Sequence, residues 1–449
     1  MPRTLRARRV VASIGAFTVM LFAFSATTRA ATPANEASAD AGASWLETQL
    51  EPDGSFEQTS FAGFETTDAV LAIAEAAQTG SSWNTDQAYD AVTALHGSDS
   101  GNPTPIDYLV DLVDNATDPA VAAKNLVYVA LPLGIDPTDF GGLDLVDEMG
   151  GCEGMTTLGF NGFLYLVLAQ ELQCGSAPPE SLQVIRDGQQ PNGGWNYANE
   201  PTLDAADNDT TGAAIQALVA AGATASDPNV RKALEFFAAQ HQANGAWQFY
   251  DSDDVNSTAM AILGITAAGF DPATSCWRDT VAPELATSTY GPPDAWIRSQ
   301  QADSGEIGSV GNTFATSQAV QGLLASWLPV ERASAQTCTT TGPTPTISNT
   351  APTPGGSFVV SGTGFMPDTS LTITLHSDPI VLGTVVTDGA GAYSTIVTIP
   401  AGVAPGFHEL VVSGLGPDGQ PREASIQITV LAATGSDGSD GGAVPRFTG

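Results

Sequence analysis

Gln189-Gln190-Pro191-Asn192-Gly193-Gly194-Trp195, followed by Thr210-Thr211-Gly212-Ala213-Ala214-Ile215, is the stretch from which the fold can be read. A polar, glycine-centred turn delivers an aromatic residue, and an alanine-rich helix begins shortly after it. The same parts recur three times. Gln49 to Phe56, around Gly54, precedes Thr66-Thr67-Asp68-Ala69-Val70-Leu71. Gln240 to Trp247, around Gly245, precedes Ser257-Thr258-Ala259-Met260-Ala261-Ile262. Gln300 to Ile307, around Gly305, precedes Ala315-Thr316-Ser317-Gln318-Ala319-Val320. The turn glycines are 52 residues apart from 193 to 245 and 60 from 245 to 305, which marks a repeat architecture. The longer interval from 54 to 193 leaves room for two divergent units, whose second helices are predicted at 118–131 and 156–172. Six helix pairs result.

The second helices are rich in alanine and leucine nearly all round, as in Ala213 to Ala221 and Ala259 to Ala268, a sign of burial on both sides. First helices, such as Val230 to Gln240, keep a charged face and belong outside. Gly80, Gly222 and Gly269 fit C-terminal caps, and Ser, Thr, Asp or Asn at the starts fit N-caps. An inner ring of helices within an outer one is an all-α (α/α)6 toroid, expected over residues 38–330; an open solenoid is the structural alternative. The Gln-x-x-x-Gly-x-Trp turns and their helices resemble the prenyltransferase and squalene-oxidase repeat. That repeat occurs in triterpene cyclases, protein prenyltransferase β subunits, vitamin B12 carriers and complement-type thioester domains. The resemblance implies a terpenoid-cyclase-like toroid and leaves function open, because the fold hosts catalysts and binders alike.

Each catalytic relative implies its own residues. Triterpene cyclases protonate an alkene with the middle Asp of Asp-x-Asp-Asp-Thr-Ala. Aligned on Asp209-Thr210, that position holds Asn208, which is no acid, and the literal Asp251-Ser252-Asp253-Asp254 lies in the loop ahead of its helix. Prenyltransferases hold zinc with Asp, Cys and His, and no Cys and His here occupy neighbouring inner-helix positions. Thioester domains need Gly-Cys-Gly-Glu-Gln, where this chain has Gly151-Cys152-Glu153-Gly154-Met155.

What remains is an acidic rim. Inner helices of a toroid all point one way, so Glu65, Asp118, Asp207, Asp209, Asp251, Asp253, Asp254 and Asn256 are expected at one mouth, with Phe56, Trp195, Tyr197 and Trp247. Capping and solubility account for such a rim. So would a Ca²⁺ site, or an acidic, aromatic cleft for a small molecule, a glycan or a protein. A carboxylate pair would also suit glycoside hydrolysis, which unrelated (α/α)6 barrels perform. The expected function is non-catalytic binding; the alternative is an extracellular enzyme, either a glycoside hydrolase or a degenerate terpenoid cyclase.

Charge and ends place the chain. Of 449 residues 49 are Asp or Glu and 14 are Lys or Arg, a net charge of −35 that repels phosphate backbones and excludes nucleic acid. Only Lys124 and Lys232 are lysines, and His96, His241, His376 and His408 stand singly, against a His-rich zinc site. Arg3, Arg6, Arg8 and Arg9 precede the apolar run Val10 to Phe24, and Thr28 and Ala30 fit a signal-peptide cut, so residues 1–30 are expected to direct export. An uncleaved anchor is the alternative, although the run is short for a bilayer. Leu431-Ala432-Ala433-Thr434-Gly435 resembles the LAxTG sorting signal of Gram-positive bacteria, matched at Leu431, Thr434 and Gly435. Residues 432–449 are a Gly/Asp/Ser tail expected to be disordered, without the apolar helix that such a signal uses. The expected location is secreted, cell wall or cell surface.

Cys152, Cys174, Cys276 and Cys338 allow three pairings in an exported chain. A helix over 156–172 would hold Cys152 and Cys174 roughly 25 Å apart, beyond disulfide reach unless the helix is broken; Cys276 and Cys338 both follow inner-type helices and are the expected bond. Residues 339–346 read as a linker. Across 347–431 the period turns to alternation, with short strands separated by turns such as Asp388-Gly389, which predicts an immunoglobulin-like β-sandwich serving as a spacer.

Overall fold

The computed structural model describes residues 31–58, 63–79, 82–202, 205–285, 288–326, 345–376, 379–389, 391–416 and 421–431. The export segment, Gly80, Cys338, most of the linker, Thr434, Gly435 and the tail lie outside the described residues. The chain divides into two compact units at Cys338/Thr339, the first helical and the second built of antiparallel sheets.

In the helical unit, short outer helices lead to a buried one six times over. α1 (Pro33–Glu47) leads to α2 (Glu65–Ala76), and α3 (Thr85–Thr93) with α4 (Pro105–Asn115) to α5 (Pro119–Asn125). α6 (Leu145–Glu148) leads to α7 (Phe160–Ala169), and α8 (Pro179–Asp187) to α9 (Asn208–Ala220). α10 (Pro228–Gln240) leads to α11 (Val255–Ala267), and α12 (Cys276–Val281) with α13 (Pro293–Ser299) to α14 (Thr313–Leu324). α5 and α7 continue as wider π-helical turns, Leu126–Ala130 and Gln170–Cys174.

The buried helices pack in order: α5 on α7, α7 on α9, α9 on α11, α11 on α14, α14 on α2, and α2 on the π-helical end of α5. Small residues set the approach. A Cβ on Gly212 of α9 would stand 2.3 Å from the Met260 carbonyl of α11, so only glycine fits. The first helix lies against the last. Asn35 Nδ2 donates to the Leu323 carbonyl (3.2 Å) and Ser38 Oγ to Gln301 Oε1 (2.7 Å).

Four elbows share one wiring. Gly54, Gly193, Gly245 and Gly305 all have left-handed φ, between +88° and +103°. The next outer helix crowds them: a Cβ on Gly193 would lie 2.2 Å from the Lys232 carbonyl of α10. The apolar residue after each glycine then donates its backbone N–H to a threonine Oγ1 on the following buried helix. Phe56 reaches Thr66 (2.9 Å), Trp195 Thr211 (3.0 Å), Trp247 Thr258 (2.9 Å) and Ile307 Thr316 (3.1 Å). Gln189 and Gln301 each donate to the elbow carbonyl and to the next outer segment, Gly193 with Asn229 and Gly305 with Ser38. His241 takes that place in the third elbow, 3.1 Å from the Gly291 carbonyl, and burial pushes its imidazole down to about 4.

The expectation that Cys152 and Cys174 lie beyond disulfide reach is corrected here. Cys152 is bonded to Cys174, with Cα atoms 5.9 Å apart. α7 starts at Phe160 instead of Thr156, and the lead-in runs back beside it, where Gln170 Nε2 donates to the Gly154 carbonyl (2.8 Å). An extended segment covers about 3.3 Å per residue against about 1.5 Å in a helix, so the short lead-in retraces the whole helix without breaking it. Cys276 is disulfide-bonded too, and Cys338, its expected partner, lies outside the described residues.

A short hairpin, β1 (Trp247–Phe249) with β2 (Ser252–Asp254), precedes α11. The second unit holds β3 (Thr346–Ile347), β4 (Ser357–Gly362), β5 (Ser370–His376), β6 (Ile380–Val386), β7 (Tyr393–Thr398), β8 (Gly406–Leu415) and β9 (Pro421–Val430). They form two antiparallel sheets, β3-β4-β7 and β6-β5-β8-β9. Alternate residues, Phe358 and Val360 on one sheet and Leu371, Ile373 and Leu410 on the other, share a single core.

Thr211→Val keeps the side chain's shape and leaves the buried Trp195 N–H without its acceptor. Urea denaturation should show a loss of about 1–3 kcal/mol, the cost of an unpaired buried donor. The same change at Thr224, an exposed residue, should cost nothing measurable.

Candidate functional site

Contacts between neighbours bring the N-terminal ends of the buried helices together. Gly162 near the start of α7 abuts Ala120 of α5, and Thr210 Oγ1 of α9 donates to Asn161 Oδ1 of α7 (3.0 Å). Asn208 Nδ2 donates to the Gln248 carbonyl in the elbow entering α11 (2.9 Å). Gly308, entering α14, lies against Val255 of α11, and Thr313 Oγ1 of α14 donates to the Phe56 carbonyl ahead of α2 (3.2 Å).

At this end most of the expected rim residues are engaged by the fold. Asp118, Asp207 and Asp254 are N-caps of α5, α9 and α11, accepting from Ala120 N (3.0 Å), Thr210 N (2.7 Å) and Ser257 N (2.8 Å). Glu65 is fully buried and accepts from Gln58 N (2.7 Å). Asn256 Nδ2 donates to Gln318 Oε1 on α14 (3.0 Å). Asp253 accepts from the side-chain amides of Asn244 (2.7 Å) and Gln248 (2.9 Å). Asp251 and Tyr250 form the hairpin tip, both at left-handed φ (+66° and +44°). Trp195 and Trp247 stand behind the rim. Both are fully buried, and their indole N–H groups donate to the Ile185 (2.6 Å) and Phe237 (3.0 Å) carbonyls of the preceding outer helices. They brace elbows and offer no ring face to a ligand. For calcium, no three His, Cys, Asp or Glu side chains among the described residues form a group that would hold a metal ion.

Asp209 departs from this pattern. Its Oδ1 is buried, as is Asn208 Oδ1 at the same helix end, and the Ser257 hydroxyl is its side-chain neighbour. Burial pushes its carboxyl up to about 7; a hydrogen bond from Ser257 opposes the shift, and the like charges of Asp207 and Asp254 add to it. Asp209 therefore holds its proton far longer than an ordinary carboxyl and is suited to giving one up.

Sequence reasoning missed a buried ion pair. Lys124 Nζ meets Asp68 Oδ2 at 2.5 Å, and both side chains are within 2% of full burial. The rings of Phe64, Tyr165 and Tyr128 surround the ammonium at 4.7, 5.1 and 5.6 Å, and Gln321 Nε2 donates to the Asp68 carbonyl (3.1 Å). Burial opposes the charge on Lys124; Asp68, with Tyr165 and Glu57, outweighs it and holds its pKa above the ordinary value. The pair ties α2, α5, α7 and α14 together. The available signal was a lone lysine in the middle of an apolar helix.

Exposed apolar side chains mark the same end. Among the described residues of the helical unit, Met155, Leu158, Tyr197, Phe249, Tyr250 and Val310 are large, apolar and exposed. All six lie in segments entering α7, α9, α11 or α14; the remaining such residue, Val184, lies on α8.

No protein-family model matches the chain, and no curated protein matches it. Among solved structures, the ligand-free type II terpene cyclase MstE from Scytonema aligns at 12% identity and a TM-score of 0.47, over 66% of this chain and 99% of that one. A variant of that enzyme in complex with geranylgeranyl dihydroxybenzoate aligns at 13% and 0.44, over 65% and 97%. Likeness at this level says nothing of this chain's substrate or reaction.

The raised carboxyl of Asp209 carries a pH signature. An ordinary aspartate titrates at 3.8 and this one at about 7, so its contribution to stability is fully present below 3.8 and is lost as pH rises through 7. Asp209→Asn keeps the shape and removes the titration. Relative to wild type it should gain about 2–4 kcal/mol near pH 8, and no more than a fraction of that near pH 4, as read by urea denaturation at both.

Proposed function

We propose that this chain is an exported binding protein: an (α/α)6 toroid followed by an immunoglobulin-like spacer, acting at the cell surface or after release and without turnover. The order of six buried helices supports the toroid, and the core shared by two antiparallel sheets supports the sandwich. Residues 1–30 are its export signal, and Leu431 to Gly435 its link to the envelope.

The observation that carries the binding reading is the apolar collar around the helix-entry end. Apolar side chains gathered in one region of a water-exposed surface mark a docking site. The acids Asp251 and Asp253 beside it suit a ligand that combines an apolar face with basic groups. The Lys124–Asp68 pair and its three rings occupy the interior between α2, α5 and α7. Asp209 favours a second reading, a degenerate cyclase or other acid-catalysed enzyme, because a carboxyl near 7 serves as a general acid.

Native mass spectrometry of the secreted protein separates these readings. The binding reading expects a co-purifying ligand whose retention falls at least about tenfold in the triple variant Leu158→Ser, Tyr250→Ser, Val310→Ser, as for loss of central contacts, with an unchanged melting temperature. Turnover of any substrate that Asp209→Asn abolishes while the triple variant spares it would replace the binding reading with the enzymatic one.

A further inference from the structure

We propose that a cavity beside the first elbow is a binding site for a primary alkylammonium group. It has a volume of about 370 Å³, and Glu51, Asp53, Ser55, Glu57, Asp99 and Tyr108 line it. None of these belongs to the apolar collar, so the site stands independently of the reading above.

The walls are built in advance of any ligand. The elbow around Gly54 forms one side and the loop after α3 the other, joined by Asp99 N donating to the Pro52 carbonyl (2.9 Å). The two meet through Gly97, where a Cβ would stand 2.3 Å from that same carbonyl. Glu57 is clamped in place: Oε1 accepts from Thr66 N (3.1 Å) and Oγ1 (2.8 Å), and Oε2 from Gly63 N (2.9 Å). Tyr108 projects from α4.

The lining is acidic and incompletely satisfied. Four carboxylates border the space, and no lysine or arginine does. Ser55 is only 3% exposed and lines the cavity, and its hydroxyl has no hydrogen-bond partner among the described residues. The Tyr108 hydroxyl likewise has none among the described residues. Burial, with Glu57, Asp53 and Glu65 adding negative charge, pushes that phenol up to about 12. A metal ion is not what it suits, because no three of these carboxylates form a metal-holding group. Carboxylates set apart around a small space match separated N–H donors on an alkyl stem, and Tyr108 adds an aromatic ring to the lining. A short diamine supplies that chemistry, and so does a lysine side chain on a protein partner.

Isothermal titration of the full chain at low ionic strength with 1,4-diaminobutane, and separately with a trilysine peptide, tests the site. Saturable binding of at least one probe is expected, weakened by about tenfold or more in Glu51→Gln/Asp99→Asn and by less in Tyr108→Phe. The paired change Glu180→Gln/Asp187→Asn on α8 should leave it intact, and so should the collar variant. Binding of the diamine alone assigns a free amine, and binding of the peptide alone a partner's lysine; both support the site. It is overturned if neither probe saturates up to roughly millimolar concentration, if the cavity variants bind as wild type, or if the α8 change weakens binding equally.

Discussion

Four times along the chain a backbone N–H beside a glycine elbow ends on a threonine hydroxyl of the helix that follows. The bond solves a problem set by burial. A helix enclosed on nearly every side has no solvent to fix its rotation, so its azimuth must come from directed contacts. One hydroxyl on the first or second turn sets that azimuth, and the glycine beside it sets how close the next outer helix comes. The ring of neighbours at one end, and with it the gathering of acids and apolar side chains, is downstream of this pair.

The repeat was open to reading because two of its parts are compositional. Glycines at left-handed φ and alanine-rich helices announce themselves at a period, and the buried helices stand close to where that period puts them. The threonines were present in every quoted motif, Thr66, Thr211, Thr258 and Thr316, but a hydroxyl gives no pattern that separates a structural bond from an ordinary cap. Tryptophan misled in the opposite direction. Trp195 and Trp247 look like ligand-facing aromatics in a rim, yet a fully buried indole still needs an acceptor, and the carbonyl of the preceding outer helix is within reach. Contacts between distant units were out of range altogether. Nothing in the spacing of Asp68 and Lys124, or of Asp209 and Asp254, says which faces meet.

The acids divide into those the fold uses and those it leaves. Asp118, Asp207 and Asp254 sit on helix N-termini, where unpaired N–H groups and the positive end of the helix dipole compensate them. Glu51 and Asp99 have no such compensation, and Asp209 answers its burial by keeping a proton. Function is better sought in this remainder than in the acidic total, because a capping carboxylate is already occupied by backbone.

The seam between α1 and α14 joins Asn35 to Leu323 across 288 residues of chain. Such a span places the last joint of the ring at the far end of loop-closure cost. α1 is also the first part of the described chain to be synthesised; it can pack on α2 early, but the part of its buried face that meets α14 waits until α14 exists. Assembly must then proceed with a leading helix covered on one side only, so the interval between emergence of α1 and arrival of α14 is when a stray chain, or a holdase, would most readily claim the open side.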